Sequence, residues 1–241
     1  MRYKNSNKIK TTTMKKGLFV MVALIVMTAS FAQNEKYVKV MEPKVAMLDS
    51  NNSVDVLKDL ANTFERIGNA EKTQWEPYYY AAYSTVMAGT LSMPQDGSFG
   101  DNSAIADPMA DKAEELINKA VALSKDNSEI YCVIKMIHSL RMLGNPMARF
   151  MSEGAKASEA LGKAKSLNEN NPRVYILEAQ DKFYTPEQFG GSKDDAKILF
   201  EKGTFTPSRS ATLACLRQSS KGLFSSPFID VMISRINPSA I

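Results

Sequence analysis

One histidine and two cysteines are all that 241 residues hold of the strongest metal-ligating side chains. His138, Cys132 and Cys215 are too few for a zinc finger, and no metal site is expected. Twelve glycines and ten prolines exclude a collagen-like or Gly/Pro-rich structural chain. Phe189-Gly190-Gly191 runs into Ser192 with no Gly-Lys-Ser/Thr behind it, so it is not a phosphate loop. A lone histidine leaves Cys132 or a serine as the only nucleophile it could activate. Cys132 lies six positions before His138 on one helix and so points to another face. Asp96, Asp101 and Asp107, with Gly97 and Gly100, lack the alternate spacing and closing Glu of a calcium loop, and read as a solvated loop. No acid/base pair stands out, so neither catalytic residues nor a cofactor are assigned, and a non-enzymatic role is expected.

Basic charge is also scarce where a nucleic-acid binder needs it. Six of the thirty Lys and Arg residues lie within 1–32, which has no acid, and the remaining 33–241 carries 24 basic against 26 acidic residues. A nucleic-acid partner is therefore excluded. The basic segment has another use. Met14-Lys15-Lys16 precedes the apolar run Leu18–Met27, and Ser30 and Ala32 suit the −3 and −1 positions of signal cleavage. We read 1–32 as a signal peptide, with Met14 the better start. The run is too short to leave a stable membrane span after cleavage. In an exported protein Cys132 and Cys215 can oxidise. Their wide separation, and the apolar helix around Cys132, favour two separate thiols, and pairing stays open.

Apolar spacing is helical almost throughout. Val56, Leu57, Leu60, Ala61, Phe64 and Ile67 predict a helix capped by Ser53 and ended by Gly68-Asn69. Later stripes predict helices over Trp75–Met87, from Asp107-Pro108 to Leu123, and from Ile130 to Gly144-Asn145-Pro146. Three more are predicted: around Ala157–Leu167, from Val174 to Tyr184-Thr185-Pro186, and from Ser192 over Ala196–Lys202. Three junctions repeat one spacing. Ile67, Leu123 and Leu167 lie eight residues before Trp75, Tyr131 and Tyr175, and Phe64, Ala120 and Ala164 lie eleven before. Constant spacing of this kind means a helix end, a tight turn, and an aromatic wedged beside it at the next helix start.

The pattern resembles the tetratricopeptide repeat. Ala120-Leu123-Tyr131 and Ala164-Leu167-Tyr175 match its small residue, apolar residue and aromatic. Ala113, Ala157 and Ala179 match its other small sites, and Asn170-Asn171-Pro172 its turn. The anchors stand 56 and 44 residues apart, not roughly 34, with the excess in 89–108 and 143–154. Tyr79 and Lys135 replace small residues. The stretch from Asn171-Pro172-Arg173 through Tyr184-Thr185-Pro186-Glu187 to Phe189-Gly190-Gly191 is also similar to a set of exported tetratricopeptide-like proteins of Bacteroidetes-type bacteria. This likeness implies an all-α fold over 53–203, antiparallel helix pairs stacked as a short right-handed superhelix, after a segment at 33–52. It implies a periplasmic, or alternatively extracellular, scaffold for a protein or peptide partner, with a small-ligand or peptide-binding envelope protein as the alternative. In the family the first helix of each pair lines the groove, which places Tyr80, Tyr83, Met136, Ser139, Gln180 and Phe183 there. Because consecutive residues 78–80 point in different directions around a helix, some of these tyrosines are expected to face outward or into the concave groove.

Residues 204–241 break character, with four basic, one acidic and eight serine residues, and Gly203 stands where the repeat calls for Ala. Either this is a capping or wrapping tail, or a frameshift near codon 203 has replaced the last helix.

Overall fold

The computed structural model describes residues 36–48, 51, 53–94 and 100–205, with side chains through 203. The signal segment, Asp96 with Gly97, Cys215, and the tail beyond 205 lie outside the described residues. The chain divides into two compact units, Met1–Pro43 and Lys44–Ile241. A helix, α1, runs over 36–48, so the division falls inside the segment read as 33–52.

The second unit continues with α2 (Val54–Glu71), α3 (Glu76–Leu91), α4 (Ser103–Leu123), α5 (Ser128–Gly144), α6 (Pro146–Leu167), α7 (Pro172–Tyr184) and α8 (Lys193–Phe205). A 3-10 turn, Glu187–Phe189, precedes α8. Among the described residues there is no strand, and the fold is all-α as expected. Four helices, α5 to α8, start where short polar side chains satisfy free backbone N–H groups, whereas Ser53, expected to cap α2, precedes that helix without a side-chain cap bond. Asn127, Asn145 and Asn171 accept from the backbone N–H of Glu129, Ala148 and Arg173 at 3.0, 3.2 and 2.9 Å. Ser192 Oγ accepts from Asp195 N–H at 3.1 Å, as its capping pattern predicts.

Consecutive helices fold back on each other. Gly89 near the end of α3 meets Met109 near the start of α4, and Gly144 ending α5 meets Ala106 and Ser103. Gly203 late in α8 packs on Ile176 and Pro172 of α7. The odd-numbered helices stand side by side, α3 against α5 and α5 against α7. The even-numbered ones are laced by charge: Glu65 of α2 takes Lys112 of α4 at 2.9 Å, and Asp107 of α4 takes Arg149 of α6. Ala113, Ala120, Ala157, Ala164 and Ala179 are all buried, the small residues that let helix axes approach. Phe64 and Leu57 are buried beneath α2, each worth about 1.5–3 kcal/mol.

Three boundaries differ from the sequence expectation. Gly68-Asn69 does not end α2, which runs to Glu71 and stops at Lys72 in a left-handed conformation, φ 58°. Gly68 instead accepts the Tyr78 ring, whose Cε1 lies 2.8 Å from where a Cβ would stand. Asp107-Pro108 does not open α4. That helix begins at Ser103, held by Asp101 and by Asn102 N–H on Gly144 O at 2.6 Å, and carries Pro108 inside it. Asp107 is thus a helix residue paired with Arg149 rather than part of a loop. The helix expected around Ala157–Leu167 begins earlier, at Pro146. Asn145 alone joins α5 to α6, and the extra length is helix.

Candidate functional site

Tyr79, Lys135 and Ala179 each lie four residues after an aromatic anchor. Where the third is small, the first two are large and polar, and both reach the next odd-numbered helix. The Tyr79 hydroxyl donates to Glu129 Oε2 at 2.7 Å, joining α3 to α5. Lys135 Nζ donates to Asp181 Oδ1 at 2.6 Å, joining α5 to α7. Glu129 Oε2 also takes Arg173 Nε at 2.8 Å, and the Arg173 guanidinium lies 5.0 Å from the centroid of the Tyr83 ring. Three helices thus converge on one cluster, in which Tyr79 and Arg173 are buried and Tyr83 and Glu129 half-buried.

The base of the cluster is fixed by hydrogen bonds through the α5–α6–α7 junction. Asn171 Nδ2 donates to Ser128 Oγ at 2.8 Å, and Ser128 donates to the Ala164 carbonyl at 2.8 Å. Tyr175 beside them donates to the Glu169 carbonyl in the turn at 2.6 Å, the wedge its position predicts. Asn171, Pro172 and Arg173 therefore have three jobs: a cap and stitch, a helix opening, and a cation in the cluster. At the other end of α7, Gly191 is required because a Cβ there would lie 1.7 Å from the Thr185 carbonyl oxygen. Gly190 has φ 90°. The pair reverses the chain before Ser192, as expected.

The electrostatics follow from burial. It pushes the Tyr79 phenol up; Arg173 opposes this and Glu129 reinforces it. Burial works against the Arg173 charge, but Tyr79 and Glu129 outweigh it and hold the guanidinium charged. Burial also pushes the Cys132 thiol up, within electrostatic reach of Glu129, Arg173 and Lys135. That thiol is free, and its Sγ lies 3.8 Å from Asn171 Nδ2. His138 is hydrogen-bonded, its Nδ1 2.7 Å from Glu153 Oε2. No three His, Cys, Asp or Glu among the described residues converge to hold a metal ion.

The groove residues read from the sequence divide. Tyr83, Met136, Ser139, Gln180 and Phe183 are half-buried. Tyr83 belongs to the cluster. Met136 packs on Cys132, Leu161 and Val174, whereas Phe183 packs on Ile176 and Phe200. Tyr80 is a correction: it is buried, its ring 5.4 Å from that of Phe64. The expectation that some of Tyr78–Tyr80 face outward or into an open groove is not met, because α2, α4 and α5 enclose α3 and bury all three. Glu129 and Arg173 were not singled out by sequence. The available signal was the oversized Tyr79 and Lys135 at positions that call for a small side chain. Apart from this face, Met147, Phe150 and Met151 are exposed on the first turns of α6. No helix among the described residues is long and apolar enough to cross a membrane.

The described residues thus form an all-α stack with a cation and aromatic rings gathered on one face. No family model and no curated protein matches the chain. The solved structure of the HusA haemophore from Porphyromonas gingivalis does, with a TM-score of 0.63 and 33% identity over 85% of this chain and 94% of that one. The chain belongs to the family of that haemophore.

Proposed function

We propose that this protein is an exported, tetratricopeptide-like carrier that binds haem or a related tetrapyrrole, without chemistry of its own. The observation that carries the reading is the 33% identity to a haemophore over 94% of that chain's length. The α3–α5–α7 face supports it. Haem is a flat apolar disc with two carboxylate arms. Half-buried Tyr83 and Met136 are suited to the disc, and a guanidinium set beside Tyr83 is suited to an arm. Export rests on the signal read at 1–32, and both periplasm and exterior are compatible with it.

Titrating the protein into haem tests the reading. A saturable shift of the haem absorbance band, with quenching of iron-free protoporphyrin fluorescence, is the expected result. Spectra that stay those of free haem at every protein concentration would overturn it. A protein or peptide partner along the same face is the second reading, favoured by Gln180 and Phe183, whose half-exposed side chains lie further along α7. It gains if haem fails to bind and a periplasmic protein is retained by the wild type but not by a Tyr83→Ala variant.

A further inference from the structure

We propose that the two terminal amino groups of Arg173 form the seat for a carboxylate of the ligand, a propionate in the case of haem. The inference rests on the tetrapyrrole reading above and names the residue that would recognise the charged end of the molecule.

Arg173 is only 8% exposed. Its position is set from three sides: its backbone N–H by Asn171 Oδ1 at 2.9 Å, its Nε by Glu129 Oε2 at 2.8 Å, and its guanidinium plane by the Tyr83 ring. Glu129 is itself held by the Tyr79 hydroxyl and by the Asn127 cap. All of this uses only one of the five N–H donors on the guanidinium. Nη1 and Nη2 donate to no described residue, although the side chain is nine-tenths buried. Neither terminal nitrogen is among the fully buried atoms that lack a partner, so both keep a small solvent contact, and the free fork offers two parallel donors to an anion with two oxygens. The fork matches a carboxylate in shape as well as charge. The surroundings favour it too. Around Cys132 the cations Arg173 and Lys135 face the single acid Glu129, and the carboxylate that balances Lys135, Asp181, is half-exposed at the rim.

The neighbouring candidates lack this combination. Lys135 already has its acceptor, and His138 has Glu153. The hollow along α2, lined by Asp59, Asn62, Thr63, Glu65, Arg66 and Asn69, is open and has no aromatic or aliphatic residue in its lining.

The test compares haem with its dimethyl ester, in which both carboxylates are capped, in matched detergent. The wild-type protein should prefer haem by about ten-fold, the scale of one charge-assisted bidentate pair. In Arg173→Gln that preference should fall to near unity, and Arg173→Lys, which keeps charge without the fork, should lie between. The ratio of the two affinities is read within each protein, so a general loss of structure in a variant cancels. Wild-type protein that binds haem and ester equally overturns the proposal without recourse to a variant. So does a preference that survives in Arg173→Gln. Haem binding with either of those outcomes leaves the carrier reading standing and removes only the carboxylate seat. Absence of any saturable haem binding removes the carrier reading, and the seat with it.

Discussion

Lys135 places an ammonium in the interior with a single half-exposed carboxylate to hold it. The Lys135 side chain is 5% exposed and that of Asp181 48%. Breaking such a pair from the acid side strands a buried charge, whereas replacing the lysine by an apolar residue of similar length strands nothing buried. Asp181→Ala should therefore destabilise by about 1–3 kcal/mol, and Lys135→Met by less than about 1 kcal/mol. Urea denaturation of both variants checks the order, and a larger loss for Lys135→Met would refute it. Asn171→Ala removes a cap and the stitch to Ser128 together, with an expected cost of about 1–3 kcal/mol in the same assay. Tyr79 and Lys135 were visible in the sequence as residues too large for their places. Their partners were not, because Glu129 and Asp181 lie 50 and 46 residues away and only the register of neighbouring helices brings them into reach.

Among the helices, local stop signals were read correctly where packing and cap chemistry agree and misread where packing overrides them. Gly144-Asn145-Pro146 ends one helix and opens the next: Asn145 caps α6, and the start of α4 packs on Gly144 without displacing the stop. Gly68-Asn69 looks just as strong a stop, yet the Tyr78 ring packs on Gly68 and the helix continues for another turn. Gly191→Ala should disrupt the α7–α8 reversal, since the Thr185 carbonyl occupies the space a Cβ needs. A fall of about 2 kcal/mol or more is expected by thermal melting. The α4–α6 lacing gives a pH prediction. Arg149 hydrogen bonds hold the Asp107 carboxyl below its ordinary range, at distances of 2.5 and 2.9 Å. A depressed folded value means the contribution is present above the ordinary carboxylate range, near pH 4, and disappears as pH falls through the folded value. The Asp107 side chain is 37% exposed, so solvent screening keeps the contribution to about 0.5–1 kcal/mol. Asp107→Asn should show that deficit at pH 7 and a smaller one at pH 2–3. A deficit that grows in acid would contradict the assignment.

For the whole molecule, the stack of paired helices was legible from anchor spacing alone, although the spacing exceeded that of the repeat it resembles. In 143–154 the excess is lengthened helix on either side of Asn145. The proposed ligand face was half legible: the aromatic and Met content pointed to it, but Tyr80 is enclosed and Arg173 was not given a site role. If haem binds the folded protein alone, a free concentration a hundred times Kd should add about 2.7 kcal/mol. For a unit of this size that is a rise of about 5–10 °C in Tm, and no rise at saturation would contradict binding to the native state.

The sulfur of Cys132 sits sealed at the seam where α5 meets α7, pressed against Asn171. A thiol-reactive dye added to a Cys215→Ser protein can touch it only when that seam parts. The labelling rate then becomes a clock for the opening of the joint beneath Arg173, and a cargo that grips both helices should slow the clock in proportion to its occupancy.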